Sequence, residues 1–175
     1  MKKIWTVIIA IMLVSCGNGT TKSEKSWNDV YAMIDSGEKQ SVIDRTISEL
    51  GPANHPASQT IMSYFDYFMT GEAERAWEYI EPNSPLSKEI GSVEAFKDRI
   101  QKALNENQYT SVTIKGLSLS TKNETGERFA TVRFTISMLD KNVLKNYESI
   151  ANYIVICKNN EWLIYDLIRP STEIK

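Results

Sequence analysis

Few side chains in this sequence could do chemistry, and they are spread along the chain. There is one histidine, His55, and there are two cysteines, Cys16 and Cys157. A metal site normally needs several His, Cys, Asp or Glu ligands at close spacing, which this set does not supply. Asp66 and Asp166 could act as acids or bases, but a general base needs a positioned substrate proton and a tuned pKa. We therefore expect solvated carboxylates, and we predict no metal ligands and no catalytic residues.

Cys157 ends an apolar run of Ile154, Val155 and Ile156. A catalytic thiolate needs a cationic neighbour, whereas a cysteine at the end of such a run is usually a small buried apolar residue. The sequence also has no glycine-rich phosphate-binding loop and no serine in a nucleophile-elbow context. We predict no cofactor.

The N-terminus has the pattern of an export signal. Lys2 and Lys3 precede an apolar run from Ile4 to Val14 that only Thr6 interrupts. A helix of that length is too short to cross a membrane, because a span needs about 20 apolar residues. A charged start followed by a short apolar run is typical of a secretory signal peptide.

The residues Leu13-Val14-Ser15-Cys16 resemble the lipobox of bacterial lipoproteins. This resemblance implies cleavage before Cys16, acylation of Cys16 and anchoring of the protein to a membrane of the bacterial cell envelope, on its periplasmic or its outer side. Two or three acyl chains on one residue give firm anchoring. We predict a signal peptide at 1–15 and a lipidated N-terminus with a flexible tether at 16–26. The competing interpretation is an ordinary signal peptide that happens to end in cysteine.

Composition limits the partners of the mature protein. Removal of residues 1–15 leaves 160 residues and changes the formal charge from −2 to −4, because Lys2 and Lys3 are lost. The sequence has no Lys/Arg cluster that could neutralise several phosphates, so we predict no nucleic-acid partner.

Two short amphipathic helices are predicted after the tether. Trp27, Val30, Tyr31 and Ile34 share one helical face with Ser26 as the N-cap, and Ile43, Ile47 and Leu50 repeat the spacing up to the stop at Gly51-Pro52. We interpret residues 27–56 as a helical extension. It could pack on the main domain or dock a partner, and the pattern favours packing.

Helical periods continue from residue 58 and then change to strand alternation. Helices are predicted at 58–70, 73–80 and 93–104, with a turn at Asn83-Ser84-Pro85. Alternating apolar residues after Tyr109 predict about four antiparallel strands, with a β-bulge near Gly116 and a tight turn at Asn159-Asn160. The fold class is α+β, with N-terminal helices packed on a curved antiparallel sheet.

This order of elements, the segment Tyr64-Phe65-x-x-Phe68 and the ending Trp162-x-Ile164-x-Asp166-Leu167 resemble the nuclear transport factor 2-like superfamily, including SnoaL-like proteins. The resemblance covers residues 57–170. It implies a cone-shaped cavity between the helices and the sheet, which some members use for ligands or catalysis and others fill with side chains. Enzymatic members place a carboxylate or an Asp-His pair in the cone. Here His55 precedes the matching region, so no such pair is predicted.

Six aromatic residues could line the cone or form its core: Tyr64, Phe68, Trp77, Phe96, Tyr153 and Trp162. We expect a non-catalytic envelope lipoprotein that binds a small apolar ligand or an envelope protein. The alternatives are an interaction module with a filled cone and, less favoured, a SnoaL-like isomerase or cyclase. A homodimer is possible, as in many relatives.

Overall fold

The computed structural model describes residues 25–168. The predicted signal peptide, Cys16, most of the predicted tether and the end of the predicted domain at 169–170 lie outside the described residues.

Helices form the first half of the described chain and a sheet forms the second half. The helices are α1 (Trp27–Asp35), α2 (Gln40–Leu50), α3 (Pro56–Thr70), α4 (Ala73–Trp77), α5 (Pro85–Ile90) and α6 (Val93–Glu106), with a short 3-10 helix at Pro52–Asn54. The strands are β1 (Asn107–Lys122), β2 (Arg128–Asp140), β3 (Lys145–Lys158) and β4 (Glu161–Ile168). They form one antiparallel sheet in the order β1-β2-β3-β4. This arrangement confirms the predicted α+β fold with helices on a four-stranded antiparallel sheet.

Local sequence signals explain most of the boundaries. Ser26 caps α1 in a capping box, in which its hydroxyl accepts from the Asp29 N–H and the Asp29 carboxylate accepts from the Ser26 N–H. Gly71 ends α3 in the left-handed conformation. The predicted bulge is present, because the β1–β2 register shifts between Ile114 and Gly116. Asn159 and Asn160 both have positive φ, as predicted for the tight turn.

Three elements differ from the prediction. The helix predicted to reach residue 80 ends at Trp77, because the chain after it pairs with β4: the Glu81 N–H donates to the Ile164 carbonyl and the Ile164 N–H donates to the Tyr79 carbonyl. The predicted turn at 83–85 opens helix α5, which Ser84 caps and Pro85 begins. Strand β3 begins at Lys145, five residues before the apolar run that starts at Ile150, because its polar first half pairs with the half-buried end of β2. The sequence does not predict this start, because these residues have no apolar alternation.

Two buried apolar clusters hold these layers together. The larger one lies between the sheet and helices α3 to α6, and the smaller one joins α1 to α2 through Val30, Ile34, Ile43 and Ile47. Leu117 and Leu119 of β1 pack against both clusters. The apolar faces of α1 and α2 are therefore buried within the chain, and a chain that starts at Gly17 contains both clusters in full.

Ser58 is the buried side chain whose polar atom has no partner among the described residues. It is fully buried in α3, and its hydroxyl makes no hydrogen bond. We expect Ser58→Ala to raise the free energy of unfolding by about 1 kcal/mol, because it removes a buried hydroxyl without a partner and favours the helix. Urea denaturation measures this.

Ser84→Ala is the matched control. Ser84 is equally buried, but its hydroxyl accepts from the Ser87 N–H at the start of α5. We expect this variant to lose about 1 kcal/mol, as other helix N-caps do. A loss of similar size in Ser58→Ala would contradict the assignment of Ser58 as unpaired.

Candidate ligand-binding pocket

A pocket of about 680 Å³ lies between helix α1 and the ends of the two β-hairpins. Its size is in the range of small-molecule sites. Its walls combine apolar, amide and charged side chains. They come from α1 (Trp27, Asn28, Tyr31, Ala32 and Asp35), from Pro56, from the β1–β2 hairpin (Lys122, Gly126 and Arg128) and from the β3–β4 hairpin (Cys157, Asn159, Asn160 and Trp162).

His55 lies behind the pocket wall and joins three elements. Its ring is fully buried and makes edge contacts with Trp27 at 4.7 Å and Trp162 at 5.1 Å between ring centroids. His55 is also the N-cap of α3, because its Nδ1 accepts from the Ala57 N–H at 3.0 Å. Its Nε2 lies 2.7 Å from the Tyr31 hydroxyl oxygen. One side chain therefore connects α1, α3 and β4.

The protonation state of His55 follows from these contacts. Burial lowers the pKa of His55 to about 4, so the ring is neutral at neutral pH. Because Nδ1 accepts a backbone hydrogen bond, the single ring proton of the neutral form is on Nε2. The Nε2–H then donates to the Tyr31 oxygen.

Arg128 is a buried cation at the start of β2. One guanidinium nitrogen, Nη2, donates to both carboxylate oxygens of Asp35, at 2.8 and 3.0 Å, and the other, Nη1, donates to the Ser120 carbonyl. The guanidinium also lies 4.5 Å from the centroid of the Tyr31 ring, within cation–π range. The Arg128 side chain is 5% exposed and that of Asp35 is 44% exposed. This pair therefore ties the C-terminal end of α1 to the sheet.

Cys157 brings a neutral thiol to the pocket. Burial raises the pKa of Cys157, although the positive charges of Arg128 and Lys122 act against that rise. The thiol is half-buried and makes no disulfide within residues 25–168. Because burial has the larger effect, the protonated form predominates at neutral pH.

The six predicted aromatic residues divide between two places. Trp162 borders the pocket. The other five pack together between the helices and the sheet, where the Tyr64 ring lies about 6 Å from the rings of Phe68, Phe96 and Tyr153, and Trp77 lies 5.4 Å from Phe96. Burial raises the pKa of Tyr153 to about 12 and that of Tyr64 well above 10. These five residues belong to the main core and do not border the pocket.

The carboxylates considered from the sequence lie outside the pocket. Asp66 is exposed, as expected, and Asp166 is half-buried and accepts from the Leu167 N–H. Sequence reasoning missed Glu81, which is buried and accepts from the Lys158 ammonium at 2.9 Å and from the Asn83 N–H. Its position between a loop and β3 makes it a structural ion pair.

Sequence reasoning also missed Tyr31, His55 and Arg128 as site residues. A signal existed for two of them. Arg128 has the same strand parity as Ala130 and Val132, so a charge faces the interior there. His55 precedes Pro56, and proline is favoured at the first position of a helix, which makes the residue before it a candidate N-cap.

Comparisons with known proteins give similarity of fold. No protein-family model matches the sequence, and no curated protein matches it. The chain is similar to a SEC-C motif containing protein from Rhodopseudomonas palustris, with a TM-score of 0.51 and 11% identity over 86% of this chain and 96% of that one. Similarity also extends to a candidate ketosteroid isomerase from Shewanella frigidimarina, with a TM-score of 0.41 and 10% identity over 66% of this chain and 94% of that one.

Residues 25–168 contain no group of three or more His, Cys, Asp or Glu side chains placed to hold a metal ion. Among the helices in the same range, none is both long enough and apolar enough to cross a membrane.

The buried neutral histidine predicts a specific pH dependence of stability. The pKa of His55 is about 4 in the folded protein and about 6.5 when unfolded. Above pH 6.5 neither state binds the proton, whereas between pH 6.5 and 4 the unfolded chain binds it and the folded protein does not. We expect His55 to lower the free energy of unfolding by about 1 kcal/mol per pH unit in this range.

His55→Asn isolates this effect, because asparagine can still cap α3 but does not titrate. The variant should be less stable than the wild type at pH 7. The difference between their free energies of unfolding should narrow by about 2 kcal/mol as the pH falls to 4.5. Urea denaturation at each pH measures both free energies of unfolding. The contribution of the carboxylates is common to both proteins and cancels in the difference. If the free energy of unfolding changed with pH in the same way in both proteins, the assignment of a neutral His55 would be contradicted.

Proposed function

We propose that this protein is an exported bacterial lipoprotein, held at an envelope membrane by acyl chains on Cys16, whose NTF2-like domain binds a small molecule. The proposed site is the pocket between α1 and the hairpin ends. The proposed role is binding and not catalysis.

The observation that carries this proposal is the composition of the pocket wall. Tyr31, Trp27 and the buried Arg128 line one space of about 680 Å³. Small-molecule sites typically combine apolar surface with a few placed polar groups in this way.

The position of the pocket fits an anchored protein. Trp27 borders the pocket and is the first residue of α1. It follows Cys16 by eleven residues, and a chain of that length reaches at most about 40 Å. The predicted anchor would therefore keep the pocket close to the membrane surface.

Binding is favoured over an isomerase or cyclase because the titratable groups at the pocket are engaged. Both ring nitrogens of His55 have partners, and Asp35 accepts from Arg128. The thiol of Cys157 has a raised pKa. A general base at any of these three positions would first have to give up a bond or a proton.

Anchoring is tested by Cys16→Ala in the full-length protein. We expect the wild type to sediment with membranes and to carry a mass increase from the acyl chains on the cleaved N-terminus, and we expect the variant to lack that mass increase. Cys157→Ala is the matched control and should behave as the wild type does. Membrane association of Cys16→Ala through an unmodified N-terminus cleaved at an ordinary signal site would count against lipidation.

Ligand binding is tested by native mass spectrometry of the chain from Gly17 onward, purified gently from its own source. We expect one reproducible extra mass of a few hundred daltons, as suits a pocket of this size, which is lost on denaturation. Trp27→Ala should reduce its occupancy at least threefold, whereas Tyr147→Ala, on the exposed half of β3, should not. A native mass equal to that of the protein alone would instead favour the interaction module. The same spectrum distinguishes a monomer from a homodimer.

A further inference from the structure

The direction of one hydrogen bond determines what the pocket can offer a ligand. His55 donates its Nε2–H to the Tyr31 oxygen, so that oxygen acts as an acceptor and keeps its own proton. Burial raises the pKa of Tyr31 to about 12, so the proton stays on the hydroxyl at neutral pH. Within residues 25–168 no protein group accepts it. Tyr31 therefore brings an unused donor to the pocket wall.

The charged groups of the pocket wall also favour a ligand that accepts hydrogen bonds. Arg128 and Lys122 bring two positive charges and Asp35 brings one negative charge, which Arg128 already engages. The pocket has a net charge of +1. Arg128 has five N–H donors, of which three are used by Asp35 and Ser120. Arg128 and Lys122 therefore add donors to the pocket lining, while the amides of Asn28, Asn159 and Asn160 add both donors and acceptors.

The pocket lining also has an apolar part. Trp27, Ala32, Pro56 and Trp162 supply carbon surface, and the Cys157 thiol is neutral. Fluorescence can report on this part of the lining, because Trp27 and Trp162 are two of the three tryptophans that remain after residue 16.

We infer that the pocket takes a small organic anion, with a carboxylate or phosphate group on an apolar body. This inference rests on the proposed function and names the ligand class. The anionic oxygens accept from the Tyr31 hydroxyl and from the cations at the Lys122 end, and the apolar body lies along Trp27 and Pro56. Charge-assisted hydrogen bonds of this kind are about twice as strong as neutral ones.

The test compares charged and uncharged probes of one shape. The tryptophan fluorescence of the chain from Gly17 onward is titrated with 4-phenylbutyrate and 4-phenylbutyramide, and with phenethyl phosphate and phenethyl alcohol. We expect at least one anion to bind tenfold more tightly than its neutral partner, and we expect added salt to reduce that ratio. Vesicles of phosphatidylglycerol and of phosphatidylcholine form a separate arm, which distinguishes a lipid headgroup from a soluble anion.

Two variants test which residues cause the preference for the anionic probe. Tyr31→Phe keeps the ring under Arg128 and removes the hydroxyl, which is both the unused donor and the acceptor of the His55 Nε2–H. Lys122→Gln changes an exposed side chain. Each should lower the preference for the anion at least threefold. Lys145→Gln, at the distant end of β3, should leave the preference unchanged.

The outcomes separate this inference from the proposed function. Equal affinity for the charged and neutral probes would overturn the anion assignment and leave the binding pocket in place. A native mass spectrum that shows a bound neutral molecule would have the same meaning. An anion preference that Lys122→Gln and Tyr31→Phe both leave unchanged would also overturn it. If no probe binds and the native mass is bare, both the inference and the proposed function fail.

Discussion

The contact between helix α1 and the sheet depends on a charge that faces the interior. Arg128 occupies an inward position on β2, where its neighbours of the same parity are core residues. A buried guanidinium without a carboxylate is strongly destabilising. Asp35, at the last position of α1, supplies that carboxylate, and Tyr31 one turn earlier covers the guanidinium with its ring. The position of α1 is therefore set by electrostatics as well as by apolar packing.

His55 extends this constraint to the rest of the fold. Its ring can cap α3, donate to Tyr31 and pack between Trp27 and Trp162 only while it is neutral and buried. These contacts join the helical segment at 27–56 to the first helix and the last strand of the main domain. The site and the packing of this segment consequently share the same side chains.

The sequence predicted the elements far better than it predicted the site. Helical and strand periods indicate which residues face the core, so the sequence predicted α1, α3, α6 and the strand β2 directly. The end of α4 could not be predicted, because residues 79–81 bond to β4, which is distant in sequence. The pocket was missed for the same reason: Tyr31, His55 and Arg128 meet only after folding, and each is unremarkable in its own segment. The export signal and Cys16 remain predictions.

The placement of the pocket follows from how the interior is filled. In the resemblance drawn from the sequence, a ligand would enter the cone between helices and sheet, yet Tyr64, Phe65, Phe96 and Phe134 are all buried there in one cluster. These rings contact one another in edge-on or tilted pairs, with centroid distances of 4.9 to 6.2 Å. The 680 Å³ pocket is instead lined by Trp162 and, on another wall, by α1. Because residues 27–35 form that wall, a chain trimmed to the main domain would lose the site.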